Sequence, residues 1–170
     1  MNRSSFFIFS TIATFVLTTL SIGAGAQQKS LKEQLVGAWT YVNAYNIMSD
    51  GKRIEPQGQS GKGMLIMDTG GRFVWTLIRS DLPKFTSNNR QTGTDAENRA
   101  VVQGALAYYG AYEVDEAGKS LLMRIEYSSF PNFNGAQQRR SVKLENDELT
   151  VINPTGASGG TAYVIWKRVK

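Results

Sequence analysis

From residue 38 onward the chain is divided into short runs of β-branched and aromatic residues, each closed by a turn signal. AWTYVNAYNI ends at SDGK, GMLIMD meets GRFVWTLIR through Thr69-Gly70-Gly71, and YGAYEVD meets SLLMRIEYS through EAGK. RRSVKLE and ELTVIN are joined by Asn146-Asp147, and TAYVIWKRV follows PTGASGG. Runs of this length bounded by Gly, Asn, Asp and Pro read as strands in hairpin order. Eight such strands with no strand–helix–strand alternation exclude a parallel sheet and predict an all-β antiparallel barrel or sandwich.

One helix interrupts the series. In TDAENRAVVQGALAYY, Thr94 and Glu97 form a capping-box pattern, and Val101, Ala105 and Tyr108 share one apolar face, which predicts a helix over about 95–108. SLKEQLVG reads as a short N-terminal helical turn leading into the first strand. The polar stretch 80–93 between the third strand and the helix is long enough to be a lid or a mobile loop.

The first 26 residues have a different character. MNR is a short basic start, residues 6–22 form an apolar run, and Ala24-Gly25-Ala26 offers the small residues read by a signal peptidase. The run is shorter than the roughly 20 residues a spanning helix needs, so residues 1–26 are expected to be a leader cleaved before Gln27. Residues 27–170 then form a single domain, periplasmic or secreted, without stable membrane insertion once the leader is gone. The chain has no cysteine, so export has not been used to add disulfides. A formal net charge of +5, spread among acidic residues, is too diffuse for a nucleic-acid surface.

Several segments together resemble the bacterial lipocalin-like domain proteins, over about Leu31 to Lys170. They are LVGAWTYV, GRF, IRSDLPKF, GTDAENRAVVQGALAYYGAYEVDE, FPNFNG and the terminal VIWKR. The resemblance implies an eight-stranded up-and-down barrel of the calycin type and, by analogy of fold, binding of a small apolar or amphipathic molecule. It also implies a structural role for Gly37-x-Trp39 at the start of the first strand. Arg168, near the end of the last strand, is expected to lie over the Trp39 indole and help close one end of the barrel.

Histidine and cysteine are both absent, which removes thiolate nucleophiles, imidazole bases, a Ser-His-Asp triad and most zinc sites. No cofactor, metal site or catalytic set is expected. DEAGKS is too short for a calcium loop and reads as a hairpin turn. What remains is polar groups turned into the barrel, and strand parity decides which these are. A two-residue turn at Asn146-Asp147 pairs Leu144 with Leu149, Val142 with Val151 and Arg140 with Asn153. That face is apolar apart from its far end, so Arg140 is expected inside and Arg139 and Lys143 outside.

A hairpin centred on Phe133 would place Gln138 opposite Ser128 and Arg140 opposite Glu126, giving an interior row of Ser128, Gln138, Glu126 and Arg140. The apolar parity of SLLMRIEYS opposes this, because Leu121, Met123, Ile125 and Tyr127 alternate with Arg124 and Glu126. A bulge in FPNFNG could reconcile the two. Arg79 shares parity with Phe73, Trp75 and Leu77, so it reads either as a solvated strand end or as a second cavity arginine. The candidate binding set is therefore Arg79, Glu126, Gln138 and Arg140, with Trp75, Tyr45 and Tyr112 as aromatic walls. Such a cavity suits an apolar or amphipathic ligand, a carboxylate among them, which arginine grips as a bidentate fork. Two alternatives stay open: an isomerase or cyclase using Glu126 or a tyrosine, and an interaction protein with a filled barrel.

Overall fold

The computed structural model describes residues 29–58 and 60–170. The expected leader lies outside the described residues. Nine strands form one antiparallel sheet: β1 (Gly37–Ile47), β2 (Arg53–Ile54), β3 (Lys62–Met67), β4 (Arg72–Ile78), β5 (Ala105–Asp115), β6 (Ser120–Ser128), β7 (Gln137–Glu145), β8 (Glu148–Asn153) and β9 (Thr161–Arg168). Apart from β2, neighbours in space are neighbours in sequence, and β9 returns to pair with β1. The eight expected strands thus close into an up-and-down barrel. The two-residue β2 is an addition, paired only with the end of β1. Closure removes the free sheet edges that would otherwise invite pairing with another chain.

Helix α1 (Leu31–Leu35) is held by a capping box between Ser30 and Glu33. The Glu116 carboxylate accepts from the backbone N–H groups of Leu31 and Lys32 at 2.7 and 3.0 Å, tying the turn to the β5–β6 hairpin. This turn covers the first end of the barrel. The Trp39 indole is fully buried there and donates to the Leu35 carbonyl at 2.9 Å. Arg168 lies with its guanidinium carbon 4.1 Å from the Trp39 ring centroid and donates to the carbonyls of Val36 and Gln34. Gly37 has φ +131, and an added Cβ would sit 3.5 Å from the Arg168 guanidinium. Trp39, Met67, Phe73, Tyr112, Leu121 and Trp166 fill this half of the barrel.

Helix α2 (Asp95–Gly104) is shorter than the expected 95–108. Ala105 to Tyr108 instead pair with β4, opposite Ile78 to Trp75. Burial of Tyr108 against Trp75 outweighs the local helical pattern, because burying an aromatic ring is worth more than the helix propensity of four residues. The stretch 80–93 folds back on α2 rather than across the barrel. Its Thr86 donates to the Glu97 carboxylate from both backbone and hydroxyl, at 2.8 and 2.9 Å. Among the described residues no helix is long and apolar enough to cross a membrane.

Candidate functional site

Two bulges change which side chains face inward along β1 and β6. In β1, Tyr41 pairs with Trp166 while Asn43 pairs with Ile165, so Val42 is an extra residue. Before the bulge the odd positions Trp39 and Tyr41 point inward; after it, Ala44 and Asn46 do. In β6, Ile125 pairs with Gly110 and Tyr127 with Tyr109, which leaves Glu126 as the extra residue. A bulge of this kind inverts the facing of every residue beyond it.

At the open end lies a cavity of about 50 Å³, which Ala44 and Asn46 reach because of the β1 bulge. Trp75 and Tyr108 form one wall, stacked with centroids 5.6 Å apart, and the Phe133 ring meets Tyr108 edge-on at 6.0 Å. Asn46, Asn153 and the Gly156–Ser158 segment close the opposite side. Arg140 enters from β7 with only 2% of its surface exposed. Its Nη1 donates to the Tyr108 hydroxyl at 2.7 Å and its Nη2 to Gln138 Oε1 at 2.6 Å, while Asn153 Nδ2 donates to the same Gln138 oxygen at 3.1 Å. The guanidinium carbon lies 5.0 Å from the Trp75 ring centroid and 5.2 Å from that of Tyr108. Among the described residues Arg140 pairs with no carboxylate, and its Nε has no hydrogen-bond partner. Burial pushes the Tyr108 phenol up to about 12 although the neighbouring arginine opposes the shift, so it stays protonated.

Of the expected residues, Arg140 and Trp75 line this cavity, while Gln138 holds Arg140 and Asn153 without lining it. The register deduced from Asn146-Asp147 holds, with Val142 opposite Val151 and Leu144 opposite Leu149. Other expected positions do not hold. Arg140 pairs across the ladder with Leu121 and Gln138 with Met123, not with Glu126 and Ser128. The shift is an odd number of residues, so Glu126 lands outside. There it accepts a two-pronged ion pair from Arg72, and that partner lowers its pKa. An isomerase or cyclase that relied on Glu126 as an interior base loses that group. The apolar parity of β6 was the better guide up to Ile125, beyond which the bulge turns Tyr127 outward.

Arg79 also lies outside the cavity wall. Its backbone N–H donates to Gly104 and its side chain pairs with Asp81, 2.6 Å apart, so the solvated strand-end alternative applies. Tyr45 was displaced by the Val42 bulge. Its ring stacks on Tyr163 at 4.8 Å, with Arg53 3.8 Å above it, on the outer side of the sheet. Tyr112 is interior but belongs to the filled end, where its hydroxyl donates to the Asp68 carbonyl at 2.6 Å. Cavity residues that the sequence reading does not single out include Phe133, Tyr108, Asn46 and Asn153. Phe133 lies on a short 3₁₀ turn (Pro131–Phe133) in what read as a plain connection, and its burial there gives that aromatic a packing role. The helical pattern of 95–108 hides Tyr108, and the hairpin at Asn146-Asp147 places Asn153 opposite Arg140 without marking it as a cavity residue.

A larger depression of about 530 Å³ lies against α1, but it is shallow and its wall includes exposed Lys29, Glu116, Lys119 and Lys143. Among the described residues no His, Cys, Asp and Glu cluster could hold a metal ion.

The chain is 26% identical over 103 residues to the 4'-hydroxy-3'-methoxypropiophenone carrier protein ppsC of Aspergillus oryzae, a match covering 55% of this chain and 93% of that one. Among solved structures, the fluorescent protein UnaG aligns over 81% of this chain and 98% of its own, at 12% identity and TM-score 0.38. A DUF4847 family protein from Bacteroides vulgatus aligns over 81% and 97%, at 11% identity and TM-score 0.39. The family model described as a lipocalin-like domain matches residues 36–169, from the turn before β1 to the end of β9, and the chain belongs to that family.

Proposed function

We propose that this protein is an exported carrier of a small aromatic or amphipathic molecule, whose oxygen-bearing head group meets Arg140 in the open end of the barrel. The observation that carries this reading is the buried Arg140, without a carboxylate partner among the described residues and set against Trp75 and Tyr108. A buried charge is costly unless something pairs with it, and a guanidinium pairs best with a planar group rich in acceptors. The relative named as a carrier of a hydroxy-methoxy aryl ketone supports an aromatic cargo. The basic start, apolar run and Ala24-Gly25-Ala26 support export.

The cavity is small beside the several hundred Å³ of ordinary ligand pockets. Cargo would enter by moving the Phe133 turn and the 154–160 connection, whose Gly159 and Gly160 have φ +85 and +64. These segments join strands at the mouth without belonging to the barrel ladder.

A thermal-shift panel of aromatic acids, hydroxyaryl ketones and fatty acids tests the reading, together with native mass spectrometry of protein taken from its own host. A cargo at 100 times its Kd should stabilise the fold by about 2.7 kcal/mol. Arg140→Ala should remove that gain while leaving a folded barrel. The proposal fails if no compound shifts the transition and no small molecule travels with the protein.

A further inference from the structure

The polar groups of the cavity are unevenly divided between donors and acceptors. Arg140 Nε and Trp75 Nε1 are buried donors with no partner among the described residues. The Tyr108 oxygen already accepts from Arg140, and its own hydrogen reaches no acceptor among the described residues. On the Arg140 side of the cavity the two side-chain amide oxygens are engaged. Gln138 Oε1 receives Arg140 and Asn153, and Asn153 Oδ1 receives the backbone and hydroxyl of Thr155. Asn46, whose amide nitrogen donates to the Gly159 carbonyl at 2.6 Å, lies across the cavity on β1.

A neutral hydroxyl presented to the Arg140 wall brings a hydrogen where hydrogens already point. Its conjugate base brings the missing negative charge and lone pairs for several donors at once. Building on the carrier reading above, we propose that the cavity binds a weakly acidic hydroxyl compound, a phenol or an enol, as its anion. The ligand's O–H bond breaks, its proton leaves to solvent, and the resulting oxyanion accepts from Arg140 and its neighbours. Binding therefore lowers the ligand's pKa, because an adjacent positive charge and hydrogen bonds to the charged form both favour ionisation.

The walls make this titration simple to read. Among the described residues Arg140 and Tyr108 are the titratable groups lining the cavity, and the other polar groups brought by β1, the segment after β2, β8 and the 154–160 connection are Asn46, Gln57, Asn153 and Ser158. An arginine stays charged throughout the neutral range, and Tyr108 stays neutral until about pH 12. A proton released on binding near neutral pH thus comes from the ligand. Uptake is favoured above the bound ligand's pKa, and acidification releases the cargo.

The test uses the intact barrel with 4-nitrophenol and 4-hydroxyacetophenone, whose neutral and ionised forms absorb at different wavelengths. The bound probe should ionise at least one pH unit below the free probe, a tenfold change in its ionisation constant. Calorimetry in buffers of different ionisation enthalpy should count a released proton when the pH lies between the midpoints of the bound and the free probe. R140K should keep the depression and R140M should lose it. If R140M does not fold, the wild-type midpoint still decides. A probe that binds with an unchanged or raised midpoint overturns the anion proposal and leaves the carrier reading standing, as does failure of both phenols while aromatic acids bind. If no phenol, acid or ketone binds, both readings fall.

Discussion

Arg168 lies over the Trp39 ring and donates to the carbonyls of Gln34 and Val36, so each part of its guanidinium has a structural partner. Arg140 lies near Trp75 in the same barrel but leaves Nε without a partner among the described residues. The first arginine completes a closed end, whereas the second is oriented toward a cavity. Removing Arg168 takes away a cation–π contact and leaves carbonyls of α1 short of donors. Arg168→Ala should lower the unfolding free energy by about 1–3 kcal/mol in a denaturant titration. It should leave the midpoint shift caused by cargo unchanged, because Arg168 and the cavity lie at opposite ends. The contact was legible as a resemblance, Gly-x-Trp at the start and arginine near the end. The orphaned Nε was not, because it depends on what Gln138 and Tyr108 do with the rest of the guanidinium.

At the scale of elements, α2 and the 80–93 stretch form a unit beside the barrel, joined through Glu97. That carboxylate accepts from Thr86 and also from the Thr94 backbone N–H at 2.7 Å, and these hydrogen bonds lower its pKa to about 2. A depressed carboxylate pKa means the stabilising contribution is complete above its ordinary value near 4.5. The contribution is lost progressively as pH falls toward 2. Hydrogen exchange of the α2 and 80–93 amides should therefore accelerate across that window, and Glu97→Gln should flatten the dependence. Thr94 and Glu97 were recognised as a cap from their spacing, but the grip on Thr86 was not, because it comes from chain folding back over eleven residues. The β5–β6 bulge has a similar origin. Gly110 lies so close to β6 that an added Cβ would sit 1.9 Å from the Arg124 carbonyl oxygen, and the displaced Glu126 then joins Arg72 on the outer surface.

Across the whole molecule, the barrel is filled at one end and hollow at the other. Trp39, Met67, Phe73, Tyr112 and Trp166 fill the end covered by α1, while the mouth is spanned by the Phe133 turn and a glycine-rich connection. Amides of the closed half should exchange slowest, and those of 130–136 and 154–160 faster; bound cargo should slow the latter selectively. Uniform protection along the barrel axis, or no change with cargo, would contradict this division. The strands, their order and the inward Arg140 were determined by local pattern, because alternation, turn residues and a two-residue hairpin act over a few residues; the closed-end plug was legible only through the family resemblance. Which side chains face the cavity was decided only by the tertiary structure. A bulge forms where two strands must bend to close a cylinder, and each one reverses parity for everything after it. Val42 and Glu126 carry no local mark of that role, yet the bulges place Tyr45 outside, Asn46 inside and Tyr127 outside, while the β6–β7 register keeps Glu126 from the arginine it was expected to meet.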